Sequence, residues 1–308
     1  MARAKRVKSS EVPAKPERTS PPWWIHAVAG GVLVALLGVG GWRAWKFADE
    51  RAARPDSPAK VVFINTPPWM SPDLIARIAH EIAPTSVDSG LDHKLLVDTS
   101  AMLKAQPWVK QVNQVRRVYG EKPGDTLQID CEFRAPVAFV EDDGVFWMVD
   151  GDGVKLPEKF SLEELKKLGM GLEPKKQLRR ITGVAQQSPQ AGEMWKGDDL
   201  KAGLDMVRLM YGKPFLNEVI EIDVTNVGKR VDANAAQIVL RTVRGTEVRW
   251  GQPLNGPMYA EPTPDQKLAT LQHIYDQYNR VDAGVDYAID IRFDAPMRVG
   301  KDEQVHAQ

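Results

Sequence analysis

The chain has 308 residues, with 41 basic and 41 acidic side chains and an ordinary hydrophobic share of 43%. Such a length suits about two domains, and the charge balance excludes the basic excess of a nucleic-acid-binding protein. A single cysteine, Cys131, excludes an intrachain disulfide and any zinc site built on paired cysteines.

Residues 1–22 carry Arg3, Lys5, Arg6, Lys8, Lys15 and Arg18 against Glu11 and Glu17, and are rich in Pro and Ser. Such a segment buries too little apolar surface to fold, so a disordered tail is expected. Trp23 to Trp42 follows, twenty residues without Asp, Glu, Lys or Arg. As a helix it measures about 30 Å, enough to cross a bilayer core. Trp23 and Trp24 at one end and Trp42 and Trp45 at the other form an aromatic belt. A cleaved signal peptide competes with an uncleaved anchor over residues 23–45. The long basic segment before the apolar run and the tryptophans at both ends favour the anchor. The Lys/Arg bias places the N-terminus in the cytoplasm and the rest of the chain outside it.

Residues 46–59 are charged and contain Pro without an apolar period, and read as a linker. Order begins with a strand at Val61 to Ile64. A helix opens at Ser71-Pro72-Asp73, with a Ser cap and Pro in the first turn, and buries Leu74, Ile75, Ile78 and Ile82. A second helix is expected from Asp98 to Ala105. Two strands follow: Trp108 to Val118, with a bulge, and Leu127 to Phe133, where apolar and polar residues alternate. That strand-helix-helix-strand-strand order over residues 60–134 makes an α+β unit with two helices on one face of a small sheet.

From 135 to 300 strands dominate: Pro136 to Val140, Val145 to Val149, Val219 to Val224, Ala236 to Val243 and Thr246 to Trp250. Helices are expected at Ser161 to Leu168, at Asp198 to Met210, and from Thr263, where Thr263-Pro264-Asp265-Gln266 is a capping box. The last helix would place Leu268, Leu271, Ile274, Tyr275 and Tyr278 on one face. A closing strand, Tyr287 to Phe293, precedes a tail at 301–308. Strand pairing between Leu156 and Gly183 is not fixed by the sequence.

Enzyme signatures are missing: no GxSxG, HExxH, GxxxxGK[ST], or GxGxxG after a strand occurs, and the five histidines lack metal spacing. Asp150 and Asp152 fall where a hairpin turn is needed, which suits turn chemistry better than catalysis or cation binding. No catalytic residue, cofactor, metal or small-molecule substrate is expected.

Four motifs carry a resemblance to a known family. They are Pro107-Trp108-Val109-Lys110, Val115-Arg116-Arg117, Asp125-Thr126-Leu127 and Arg134-Ala135-Pro136-Val137-Ala138. In this order they resemble the POTRA domain and its exit in the FtsQ/DivIB cell-division proteins. Val149-Asp150-Gly151-Asp152-Gly153 and Ile289-Asp290-Ile291-Arg292-Phe293-Asp294 resemble later parts of that family. The resemblance implies a POTRA domain at 60–134, hinged near Arg134-Ala135-Pro136, and a mostly antiparallel β domain with a few helices at 135–300. It also implies a non-enzymatic divisome scaffold of the bacterial inner membrane, at the septum. Such a scaffold binds FtsB-like and FtsL-like bitopic proteins and supports septal peptidoglycan synthesis. The implied partner-binding segment is a β-edge formed by Arg292, Phe293, Asp294, Ala295, Met297, Arg298, Val299 and Gly300, continuing the strand Tyr287 to Phe293. A POTRA-bearing periplasmic chaperone or secretion protein is the alternative.

Overall fold

The computed structural model describes residues 23–51, 57–86, 93–118, 125–171, 178–256 and 261–300. The expected tails at 1–22 and 301–308 lie outside the described residues. Trp23–Arg51 forms a 29-residue helix, α1. Among the described residues no helix is long and apolar enough to cross a membrane; the side chains of 23–27, 29 and 48–51 lie outside that set.

Beyond α1 the described residues build two sheets. The first holds β1 (Lys60–Ile64), β2 (Val109–Val118) and β3 (Thr126–Phe133) in the order β1-β3-β2, with β1 parallel and β2 antiparallel to β3. Helices α2 (Pro72–Ile82) and α3 (His93–Ala105) cover one face. Ser71 Oγ caps α2 by accepting from Leu74 N at 3.2 Å. The alternation along β3 sets its faces. Leu127, Ile129, Cys131 and Phe133 are buried, whereas Glu132 is exposed. Burial, aided by the charge of Asp130, pushes the Cys131 thiol up to about 12, so it packs as a small hydrophobe. Trp108 is 4% exposed in this core, its ring 6.0 Å from that of Trp69. The α3 helix starts five residues earlier than the sequence suggests. Its first turn holds Leu95, which packs against Ala59 and Leu127 in a separate small cluster.

The second sheet has nine strands: β4 (Pro136–Asp142), β5 (Val145–Asp150), β6 (Lys155–Phe160), β7 (Arg179–Thr182), β8 (Val219–Asp223), β9 (Ile238–Thr242), β10 (Glu247–Gly251), β11 (Ala288–Asp290) and β12 (Met297–Val299). Their order is β12-β11-β10-β9-β8-β7-β4-β5-β6. Parallel pairs β4–β7, β7–β8 and β10–β11 interrupt the antiparallel ones. Between β6 and β7 lies α4 (Leu162–Gly171). Helices α5 (Asp198–Met210) and α6 (Pro264–Tyr278) bury Leu200, Met206, Met210, Leu271 and Ile274 against Ile181, Ile222, Leu240 and Val248. The approach of α5 to the sheet needs a glycine, because a Cβ on Gly203 would lie 2.8 Å from Ile181 Cγ2. Across β7 to β10, Arg180 pairs with Glu221, and Arg241 with Glu221, Asp223 and Glu247, at 2.8–3.1 Å. These pairs join neighbouring strands and pin their register.

The two sheets meet near Arg134-Ala135-Pro136 at a junction clasped by side chains. Arg134 Nη1 donates to Asp150 Oδ2 at 2.7 Å, while Asp150 Oδ1 accepts from Asp152 N and Val154 N at 2.9 and 2.8 Å. Leu156, from β6, is wholly buried in the first core, and Met148 packs beside it. Arg77–Glu158 and Lys110–Asp152 bridge the rim at 2.7 and 2.9 Å. The charges and apolar residues that close the junction come from three strands and a helix, so Pro136 alone could not reveal it.

A second buried carboxylate ties α5 to its surroundings. Asp199 accepts from Ala185 N at 2.8 Å and from Arg230 Nη1 at 2.6 Å. Burial alone would raise its pKa; the Ala185 N–H, the Arg230 guanidinium and the Leu200 N–H outweigh that and hold it below the ordinary value. A depressed folded pKa gives stability that is present above the unfolded value near ~3.9 and is lost as pH falls through the folded one. Asp199→Asn should therefore cost about 2 kcal/mol at pH 7. The gap to the wild type should close below about pH 4 in urea melts at stepped pH; a gap constant with pH would remove Asp199 from the acid limb. Trp108→Ala should cost about 3–5 kcal/mol in chemical denaturation, since a large ring leaves a well-packed core.

Candidate partner-binding edge

The expected open edge runs along the strand Tyr287 to Phe293 and on through Met297 to Gly300. The structure narrows that strand to β11 and covers it on both sides, by β10 and by β12. The chain leaves the sheet after Ile291 because Asp290 folds its carboxylate back: Oδ1 accepts from Arg292 N at 3.0 Å, and Oδ2 from Arg292 Nη2 at 2.7 Å. An exposed turn at Phe293 to Pro296 then returns the chain as β12, which is the last strand of the sheet. The strip of groups without a sheet partner thus belongs to Met297–Val299.

The direction of its main-chain groups follows from the neighbouring bonds. Glu247 N donates to the Tyr287 carbonyl at 2.9 Å and Ile291 N to the Arg249 carbonyl at 3.2 Å, so the odd residues of β11 face β10. Ala288 and Asp290 therefore face β12, where they pair with Val299 and Met297. Ile289 and Arg298 form the pair without mutual hydrogen bonds, and Arg298 turns its N–H and C=O toward the open side. Pro296, the next outward position toward the turn, has no N–H to offer.

The side chains divide between the faces. Arg298 lies opposite the buried Ile289, on the face covered by α6, where Nη2 donates to Tyr278 Oη at 3.1 Å. Tyr278, expected on one helix face with Leu271 and Ile274, is 40% exposed; the helix ends at it, and Asn279 after it adopts a left-handed conformation. Met297 is 52% exposed and Phe293 48%. Asp294, Ala295 and Gly300 are exposed and Val299 is half-buried. Arg292 is not available as a free charge. Besides Asp290, it donates to the Asn234 carbonyl at 2.7 Å, and the Asp290 hydrogen bond raises its pKa.

Of the eight residues expected at the edge, Met297, Arg298 and Val299 form β12, Phe293, Asp294 and Ala295 lie in the exposed turn before it, and Arg292 turns inward as a brace. Sequence reading missed Tyr278 and Asn234. No local pattern links positions 278 and 298 or 234 and 292, since the contacts join distant segments.

No protein-family model matches the chain, and no curated protein matches it. Among solved structures it shows a weak likeness to the major extracytoplasmic domain of the trans isomer of the cell-division protein DivIB from Geobacillus stearothermophilus. The two are 16% identical, the match covers 37% of this chain and 75% of that one, and the TM-score is 0.21.

Proposed function

We propose that this chain is a non-enzymatic scaffold of the bacterial division machinery, anchored in the inner membrane through the uncharged sequence run from Trp23 to Trp42, that captures FtsB-like and FtsL-like bitopic proteins outside the cytoplasm. The observation that carries the proposal is the open side of β12, where Arg298 offers an N–H and a C=O to an added strand. The order of the motifs between Pro107 and Ala138 supports the family reading. The uncharged run from Trp23 to Trp42 supports the anchor, as does the exposure of Val32, Leu33, Val34, Leu36 and Leu37 on several sides of α1.

Magnitudes decide what the edge has to do. Two or three main-chain hydrogen bonds at ~0.5–1.5 kcal/mol each contribute ~1–4 kcal/mol, whereas micromolar binding needs about 8. Covering the exposed half of Phe293 and of Met297 adds roughly 0.8–1.5 kcal/mol apiece. The backbone then sets register, and neither contribution alone reaches that figure.

Arg298→Pro removes the outward donor without touching the two bonded pairs with β11. It should weaken co-purification of the FtsB-like partner at least tenfold while the melting temperature stays within about 2 °C. Full capture by the folded variant would sink the edge reading. Topology is checked separately: a periplasm-active reporter fused after Gln308 should be active, and activity of a cytoplasm-only reporter there would refute the anchor orientation.

A further inference from the structure

We propose that the cleft between α5 and the starts of β4 and β7 binds a small anionic amphiphile, a short aliphatic chain with a carboxylate or phosphate head. The cavity measures about 310 Å³, at the lower end of the range for small-molecule sites. Its walls are apolar, made by Val137, Leu178, Leu204, Val207 and Leu216.

Two guanidinium groups line this apolar space. Arg179 is 3% exposed and donates from Nη2 to the Leu216 carbonyl at 2.8 Å. Burial pushes its pKa down to about 10, which leaves it charged at neutral pH. Arg208 stands at the mouth, where it donates to the Gly151 carbonyl at 3.3 Å and to Asp205 Oδ1 at 3.0 Å. Asp205 also takes Lys201 at 2.6 Å. Tyr211, 82% exposed, completes the rim. Apolar walls between two cations select a ligand of matching design: the chain displaces water from the leucines and valines, and the head meets a guanidinium. A cationic head of equal length meets repulsion.

The proposal does not depend on the division reading and is tested in the full chain, held in lipid nanodiscs. Tyr211→Cys is coupled to an environment-sensitive fluorophore; Cys131 stays unlabelled because it is buried and its thiol is pushed up to about 12. The same dye on Val97→Cys, exposed on α3, reports nonspecific partitioning. Octanoate, octyl phosphate, octanol and octyltrimethylammonium are titrated in turn. Saturation at position 211 by one or both anions, at a concentration at least tenfold below that for octanol or the cation, supports the proposal. The better anion identifies the head. Arg208→Glu, on the exposed rim, should erase the preference, and Val207→Trp should fill the cavity and abolish the signal. Should the Val207 variant fail to fold, the rim variant decides. Equal responses to all four probes, no saturation, or an identical response at position 97 would overturn it.

Discussion

The carboxylate of Asp150 accepts hydrogen bonds from three places at once: the guanidinium of Arg134 at the end of the first sheet, and two backbone N–H groups of the turn it occupies. It is 3% exposed. A buried carboxylate costs several kcal/mol of desolvation unless every lone pair is used, so the turn, the strand exit and the arginine must be in place together. Gly153, at φ +81, closes the turn and lies against Leu200 and Leu204 of α5. Most of the tertiary arrangement is referred to this point. The turn launches β6, whose Leu156 fills the first core, and its backside packs on the helix that fills the second.

The nine-stranded sheet ends in two unequal edges. On one side β6 contains Pro157, which lacks a donor and blunts strand addition. On the other side β12 keeps the outward N–H of Arg298. Between them one face is closed by α5 and α6 and the other by the ladder of Arg180, Glu221, Arg241 and Glu247. An unblunted edge is the part of a sheet that stays open to an added strand. β12 is only three residues long, and Met297 within it and Phe293 in the turn before it are half-exposed.

Parts of this were legible in the sequence because they are local. The alternation of Leu127 to Phe133, the Ser71 cap, and the Thr263–Gln266 capping box each express a period or a hydrogen bond within a few residues, and the structure has them. What escaped is non-local. The β6 strand carries a proline and β7 holds one apolar residue among two arginines and a threonine, so neither shows a strand period. Parallel pairings bring together segments that share no sequence signal. At the edge, alternation suggested one strand from Tyr287 to Phe293; Asp290 cut it, through bonds to a residue two positions on that the alternation does not reveal. The clasp at Asp150 was half legible: the turn was, and its arginine partner was not.

The position of β3 in the first sheet has a consequence for how the chain is made. It is the central strand, yet it is the last of the three in sequence, and β1 pairs with it across more than sixty intervening residues. At roughly 5–20 residues per second, synthesis delivers β3 some 3–13 s after β1. For that interval Val61 and Phe63 have helices to lean on but no strand to bond, and the open backbone of β1 is exposed to any other extended segment nearby. Vectorial emergence thus builds a waiting period into this module, ended only when β3 arrives to pair with both β1 and β2.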